Sequence, residues 1–360
     1  MNLLSNDSIN KLADILSFEN LRKIEDAVDK RVKDIISTHL SNRFELRAMV
    51  YVSEHQACGI VPGDGRVLLC AKKSKLNQTK TRFTQWNLKE KHFGRLSHVI
   101  IEGRPSAVKT EPDRGTGDAT QALLVKPSAV NFSNTTVAKS AGWYRCFAED
   151  ITTIQRAFRV PTTSVPSGNS CLSVHCPPPN QWSYVKKILN HLPVTFEAIH
   201  FIDVFDQPNF LAEMLKRFTG NMQLKEVKVH NCDIDSSILK PLGIMFAVPR
   251  PHALKMRVFN CRCCRPGIAF DVNEIEVIIK EWKKATEMDP AIRTALLLPF
   301  DYDGWANLKT KYEHKPQGTV DDCVVVRHPT ADCSLQLKLF DAVTIEMTVV
   351  KMTRKRRATR

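Results

Sequence analysis

The spacing of apolar residues near the start of the chain is helical. Apolar side chains recur every three or four positions over residues 7–16, 21–28 and 32–40, and polar cap residues precede the first of these stretches. The pattern predicts three short amphipathic helices. Helices of this length enclose little core, so we expect the unit to gain stability by burying an apolar stripe against a partner or the following domain.

From residue 44 the pattern changes to short apolar runs between polar turns. Residues 46–52, 67–70 and 96–101 predict strands, so 44–102 is a strand-rich segment at the start of a repeat-like region. Residues 103–142 carry many Pro, Gly, Ser, Thr and Ala and predict a flexible polar insertion. Residues 160–179, with several prolines, predict a joint before the best-ordered region.

Three segments in the carboxyl-terminal half share one pattern. They begin at Phe196, Leu224 and Ala253, which are 28 and 29 residues apart, and the second matches the leucine-rich-repeat template at every apolar slot. Helical spacing follows each segment, at 210–218, 238–245 and 271–285, and 292–300 predicts a fourth strand. Residues 323–327 and 335–350 predict closing strands. We therefore predict an α/β fold in which 143–350 form an irregular leucine-rich-repeat-like strand–helix array.

The positive net charge leaves a second function open. The chain of 360 residues carries +14, but six of these charges lie in the last ten residues, so only +8 remains on the other 350. Residues 351–360 predict a basic disordered tail, typical of nuclear import or of polyanion binding. A repeat-based scaffold or nucleic-acid binder that uses this tail and the basic segment 72–91 stays open.

The cysteines and the amino terminus indicate a reducing compartment. The eleven cysteines are unevenly spaced, and residues 1–10 lack the charged and apolar regions of a signal peptide. No apolar run approaches the roughly 18 residues of a membrane span. We expect a soluble protein of the cytoplasm, the nucleus or both.

No motif assigns chemistry to the chain. Cys261-Arg262-Cys263-Cys264 lacks the second ligand pair of a zinc site, and Cys232 and Cys261 already occupy the turn position of the repeats. No nucleophile elbow, zincin or kinase motif occurs. We therefore predict a non-enzymatic binding protein and assign no catalytic residue, metal or cofactor.

Two regions of the chain carry sequence patterns that point to one family. The amino-terminal elements are Leu3-Leu4, Ile15-Leu16, Phe18-Glu19-Asn20-Leu21 and Val28-Asp29-Lys30-Arg31-Val32. Within residues 190–310, a helix ending around Glu281-Trp282-Lys283 precedes an apolar strand. The first set resembles the F-box motif, with Ser5 where that motif usually has proline, and the second resembles the F-box-associated region. In this order the two regions resemble the nematode F-box proteins.

The resemblance implies both an architecture and partners. Residues 1–43 would be an F-box-like helical module that binds a Skp-type adaptor and, through it, a cullin, while the repeat-like domain captures an unknown target protein for ubiquitin transfer. An ordinary helical cap on a repeat domain, or a diverged family member whose adaptor site no longer works, stays an alternative. Adaptor contacts are expected at Leu4, Ile15, Leu16, Leu21, Ile24 and Val28.

Overall fold

The structure is a computed structural model of the chain. It describes residues 5–16, 18–53, 67–75, 84–85, 94–104, 144–147, 170–175, 182–192, 194–263, 269–285, 294–316, 322–341 and 343–351. Two compact units form: the first comprises Met1–Ser170 with Val174–Pro193, and the second comprises Cys171–Ser173 with Val194–Arg360. The predicted insertion at 103–142, apart from its first two residues, and the predicted tail beyond Lys351 lie outside the described residues.

Three helices begin the first unit: α1 (Asn6–Ile15), α2 (Phe18–Glu25) and α3 (Lys30–Asn42). Side chains cap two of them. The Ser5 hydroxyl accepts a hydrogen bond from the Ser8 amide at 3.1 Å, and the Asp29 carboxylate accepts one from the Val32 amide at 3.1 Å. Ser5, at the position where the F-box motif usually has proline, thus begins α1 by satisfying one of its free amides.

A mixed sheet follows the helices in the first unit. The central strand runs antiparallel to one neighbour and parallel to the other, and its inward residues Leu46, Ala48, Val50 and Val52 are fully buried. A helix near the end of this unit buries Val185, Ile188 and Leu189 at helical spacing. The elements are β1 (Phe44–Ser53), β2 (Val67–Lys75), β3 (Thr84–Gln85), β4 (Gly94–Arg104), β5 (Tyr144–Phe147) and α4 (Trp182–His191).

Part of the predicted proline-rich joint is a strand, β6 (Cys171–His175). Leu172 and Val174 are buried, and Cys171 and His175 at its ends are only partly so. These five residues of the predicted joint therefore form a strand, because their apolar side chains alternate between the prolines on either side.

Parallel strands and helices alternate in the second unit. Ala198 pairs with Glu226, Glu226 with Lys255, and Lys255 with Ala295, so the 28- and 29-residue spacing of the sequence is the strand register. A short parallel pair, β9 (Asp233–Ile234) and β11 (Arg262–Cys263), follows two of these strands. The main strands are β7 (Ala198–Ile202), β8 (Glu226–His230), β10 (Lys255–Phe259) and β12 (Ala295–Pro299).

Four helices of the second unit carry large buried side chains. Gly243 allows close packing between two of them, since a Cβ there would lie 3.0 Å from the Cβ of Glu281. The third begins with a reciprocal capping box between Asp271 and Glu274. These helices are α5 (Pro208–Phe218), α6 (Leu239–Ala247), α7 (Val272–Lys283) and α8 (Trp305–Lys311).

Antiparallel strands complete the second unit: β13 (Glu313–Pro316), β14 (Asp322–Arg327), β15 (Cys333–Asp341) and β16 (Thr344–Lys351). They pair in chain order, and β16 also pairs antiparallel with β12. The last parallel strand is therefore not a free edge. The predicted α/β class is confirmed, with eight α-helices in the described part of the chain.

Candidate functional site

The amino-terminal module, residues 5–43, has a small core of its own. Ala13, Leu21 and Ile36 are buried at its centre, one from each helix. Leu12, next to Ala13 on α1, is 48% exposed. The module therefore presents apolar surface as well as burying it.

The predicted adaptor contacts fall into three groups. Leu21 lies in the core of the module, whereas Leu16, Ile24 and Val28 pack around that core and are only partly buried. Ile15 is the last residue of α1. Its side chain, and all of Leu4, lie outside the described residues.

A buried arginine fixes the end of α1. Arg43, only 1% exposed, donates hydrogen bonds from its guanidinium to the carbonyl oxygen of Leu16 at 2.7 Å and to that of Ala13. Carbonyls in the last turn of a helix have no partner within the helix, and a cation there also opposes the helix dipole. His39 adds a second tie, with its Nε2 3.1 Å from Oδ1 of Asn10. Polar contacts thus link α1 to α3 and to the residue that precedes β1.

The second unit has a sheet face that its helices leave uncovered. Val227 and Val229 are fully buried, while Lys228 between them is partly exposed. The helices cover the buried side, as the edge-to-face contact between Phe201 and Phe210 of α5 shows, with ring centroids 6.3 Å apart. We call the other side the open face. Its side chains include His200, Glu226, Lys228, His230, Lys255, Arg257, Phe259, Leu297, Lys338 and Glu346.

Strand register brings one row of side chains together across this face. His200 pairs with Lys228, Lys228 with Arg257, and Arg257 with Leu297. The row continues through Glu346 to Lys338. Neighbouring strands lie about 4.8 Å apart, so the row of six side chains spans about 24 Å.

The basic half of the row contains a like-charge contact. Lys228 and Arg257 are direct neighbours across two strands, an arrangement that lowers sheet stability. Glu226 lies beside them, with its carboxylate 3.6 Å from Nε2 of His200 and 4.0 Å from Nη2 of Arg257. The Nζ of Lys228 lies 5.5 Å from the ring centroid of Phe259, a cation–π contact. The Glu226 carboxylate therefore lies between two side chains, His200 and Arg257.

Cys171, His200 and Glu226 are arranged in the order of a thiol nucleophile, a base and an acid. The Sγ of Cys171 lies 3.6 Å from Nδ1 of His200, and Glu226 lies on the other side of the ring. Burial raises the pKa of Cys171 and lowers the pKa of His200. Both directions disfavour a thiolate–imidazolium pair.

A repeated turn ends three of the parallel strands. Asp203, Asn231 and Asn260 adopt positive φ angles of 55°, 52° and 53°, a conformation that Asn and Asp tolerate better than most residues. Their neighbours on adjacent strands hold them: the Asp203 amide donates to the His230 carbonyl at 3.1 Å, and the Asn231 amide donates to the Phe259 carbonyl at 3.2 Å. The chain therefore turns at the predicted Asn/Cys position.

The cysteines after these turns are buried hydrogen-bond donors. The Cys232 thiol donates to the His230 carbonyl at 3.2 Å, and the Cys261 thiol donates to the Phe259 carbonyl at 3.3 Å. A hydrogen bond with the Cys261 thiol, together with burial, raises the pKa of Cys232. The side chain of Cys263 and all of Cys264 lie outside the described residues. Within the ranges described, no group of three or more His, Cys, Asp or Glu residues is placed to hold a metal ion.

Two grooves lie at opposite ends of the open face. The first, of about 420 Å³, lies between the ends of β10 and β12 and the turn that joins β15 to β16. Phe340, near the end of β15, and Val343, directly before β16, are 66% and 58% exposed. The second groove, of about 600 Å³, lies at the start of the same strands and is lined in part by Lys255 and Lys338.

No protein-family profile matches this chain, and no curated protein or solved structure is significantly similar to it. The likeness to F-box proteins therefore rests on the residues that carry it. Among the described residues, no helix combines the length and the apolar character that a membrane crossing requires.

The open face was not predicted as a site, although the sequence contains a signal for it. His200, Lys228 and Arg257 occupy the same polar slot of the three aligned segments. Residues at the same position of successive repeats lie next to each other when the strands of the repeats pair in parallel. The row of basic side chains therefore follows from the repeat spacing. The groove beside Phe340 has no such signal, because it depends on where the final hairpin packs.

Proposed function

We propose that this chain is a non-enzymatic substrate-recognition subunit of a Skp-cullin-F-box type ubiquitin ligase in the cytoplasm or nucleus. Its amino-terminal module contacts a Skp-type adaptor, and through it a cullin. Its leucine-rich-repeat-like domain binds the target protein. The mechanism is proximity, because tethering raises the local concentration of the target near the catalytic partners of the ligase.

The observation that carries this proposal is the incompletely buried apolar surface of the module. Leu12 is about half exposed, and Leu16, Ile24 and Val28 are only partly buried around a core of three residues. Such a small unit gains stability when a partner covers its apolar side chains, as in helix-in-groove recognition. A docking role explains why these positions are apolar.

The geometry also changes which side chains are expected to contact the adaptor. Leu21 is fully buried between the helices, so its role under this proposal is to hold α2 against α1 and α3. Ile24, Val28 and the exposed Leu12 have surface left for a partner. We therefore add Leu12 to the proposed contacts.

The second unit supports the target-binding half of the proposal. Its parallel strands β7, β8, β10 and β12 are each followed by a helix, and repeated Asn or Asp turns end three of them. Stacked units of this kind bury one side of each strand row and present the other. The open face is then the natural place for a target.

The test is co-purification of the full-length chain with a Skp-type adaptor, followed by a measurement of affinity. Leu12→Asp combined with Val28→Asp should weaken binding about 100-fold, because each apolar side chain contributes about 1.5–3 kcal/mol when fully buried. Ser8→Asp combined with Ser37→Asp adds the same charge at exposed polar positions of α1 and α3 and should leave the affinity within about threefold. Circular dichroism establishes that both variants are folded.

Failure of the unmodified chain to bind the adaptor, or full binding by the folded Leu12/Val28 variant, would contradict the proposal. The alternative is a scaffold or nucleic-acid binder that uses the basic tail. Under this alternative, the chain should bind RNA or DNA, and this binding should weaken steeply with added salt and be lost on removal of residues 352–360.

A further inference from the structure

The basic part of the open face lacks balancing negative charge. Lys228 and Arg257 are neighbours on adjacent strands, and Glu226 is shared between Arg257 and His200. Neither Lys228 nor Lys255 forms an ion pair with another residue in the part of the chain that the structure describes. A carboxylate that approached this surface would relieve the repulsion and meet unpaired cations.

An apolar groove adjoins these cations. Arg257, Phe259 and Leu297 line it on the sheet side, and Phe340, Asp341 and Val343 line it where β15 ends and β16 begins. Phe340 and Val343 are two of the six large hydrophobic residues that the described chain exposes, and they lie three positions apart. Exposed apolar side chains beside a concave surface are typical of a contact site.

We propose that the open face binds an extended acidic segment of the target protein, with its carboxylates on Lys228, Lys255 and Arg257 and one apolar side chain in the groove beside Phe340. The identity of that segment as part of a ubiquitination target rests on the proposed function. The complementarity of charge and shape rests on the face itself.

The dimensions of the face set the length of the segment. Lys255 begins β10 and Phe259 ends it, so four steps of about 3.3 Å, or about 13 Å, separate the two ends of the face. The first groove adjoins Phe259 and the second adjoins Lys255. An extended segment of about five residues therefore reaches from one groove to the other.

A peptide fits this surface better than a nucleic acid does. The open face has four cations, Lys228, Lys255, Arg257 and Lys338, interspersed with the carboxylates of Glu226 and Glu346, and Asp341 adds a third carboxylate in the lining of the groove beside Phe340. Strong binding to a phosphate backbone uses about six to ten contacts, and carboxylates within the surface would oppose it. Separate acidic side chains can avoid these three carboxylates, and an apolar side chain can fill the groove.

The experiment selects phage-displayed random peptides of about a dozen residues, longer than the face requires, on the full-length chain. Parallel selections use the Lys228→Glu plus Arg257→Glu variant and the Phe340→Ser variant. A matched control, Lys240→Glu plus Lys280→Glu, makes the same charge change at exposed positions on α6 and α7. Circular dichroism and an adaptor-binding assay accompany every variant.

We expect the unmodified chain and the matched control to enrich acidic peptides that contain an aromatic or aliphatic residue. Affinity for a representative peptide should fall at least about tenfold in the Lys228/Arg257 variant and about tenfold in the Phe340 variant. The inference is overturned if no peptide is enriched, if the enriched peptides are not acidic, or if the Lys228/Arg257 variant binds them equally well. It is also overturned if a single-stranded oligonucleotide competes with the peptides and binds more tightly.

The two proposals fail in different ways. Adaptor binding without selection of acidic peptides leaves the proposed function intact and refutes the assignment of the open face. Selection of acidic peptides without adaptor binding refutes the ligase role and leaves a peptide-binding face in a protein of another kind. The Lys228/Arg257 variant should keep full adaptor affinity, because its substitutions lie in the second unit.

Discussion

The amino-terminal module and the repeat-like part of the second unit are both built from amphipathic elements, but they are held together differently. In the module, three residues form the buried centre, and the guanidinium of Arg43 and the His39–Asn10 contact tie the helices together. In the repeat-like part, every inward position of β8 and β10 is buried beneath large side chains of the helices. The first region depends on a few polar ties, and the second depends on an extensive core.

This difference predicts where each region is sensitive to substitution. Loss of a large inward side chain should damage the repeat-like part most, because its core is packed on all sides. Loss of one polar tie should loosen the module without a comparable effect on the second unit.

Phe201→Ala should produce the largest loss of stability. Phe201 is buried on β7 and packs edge-to-face with Phe210, and truncation of a buried Phe costs about 3–5 kcal/mol. Urea unfolding of the full-length chain, followed by tryptophan fluorescence, measures this loss. Ile202→Ala, at the next position on the open face, is the matched control and should cost about 1 kcal/mol. Equal losses for the two variants would mean that the two sides of β7 do not differ as described.

Arg43→Met should have a smaller effect that centres on α1. The change keeps an apolar stem but leaves the carbonyls of Ala13 and Leu16 without their guanidinium donor, at a cost of about 1–3 kcal/mol. Hydrogen exchange should become faster in α1 and stay unchanged in β8 and β10. Arg22→Met, an exposed arginine on α2, serves as the control and should leave exchange unaltered. Unchanged protection of α1 in the Arg43 variant would argue against the capping role.

His200→Gln should have the smallest effect, seen only as a change in pH dependence. Burial lowers the pKa of His200 below its usual 6.5, and Lys228 lowers it further, while Glu226 opposes the shift. The unfolded chain therefore binds more protons than the folded chain as the pH falls through 6.5, and stability is lost in that range. The variant should lose less stability than the unmodified chain between about pH 7.5 and pH 5. Thermal unfolding across that range measures the difference, and parallel curves would contradict the lowered pKa.

Much of the second unit followed from spacing. The segments at Phe196, Leu224 and Ala253 predicted the strands that became β7, β8 and β10, because apolar alternation over five residues is strong evidence for a strand. The strand β6 was missed, since the prolines after His175 masked the alternation of Leu172 and Val174. The helix α4 was also missed, although Val185, Ile188 and Leu189 have helical spacing.

The candidate sites were less predictable than the elements that carry them. The apolar stripe of α2 was evident, but helical period alone does not say which of its residues the neighbouring helices cover. Leu21 is buried and Leu12 is exposed. This difference depends on how the three helices pack against one another, which the spacing within one helix does not specify. The groove beside Phe340 likewise exists only because β16 pairs with β12, a contact between distant parts of the chain.

The sequence by itself determined the strands β7, β8 and β10 with the helices that follow them, the inward side of each of these strands, and the 28- and 29-residue spacing that aligns His200, Lys228 and Arg257. These features are local or periodic, so residue type and position specify them. Only the tertiary structure decided that helices cover one side of the sheet and leave this basic row open beside an apolar groove. That outcome depends on packing between residues far apart in the chain, which periodicity alone does not encode.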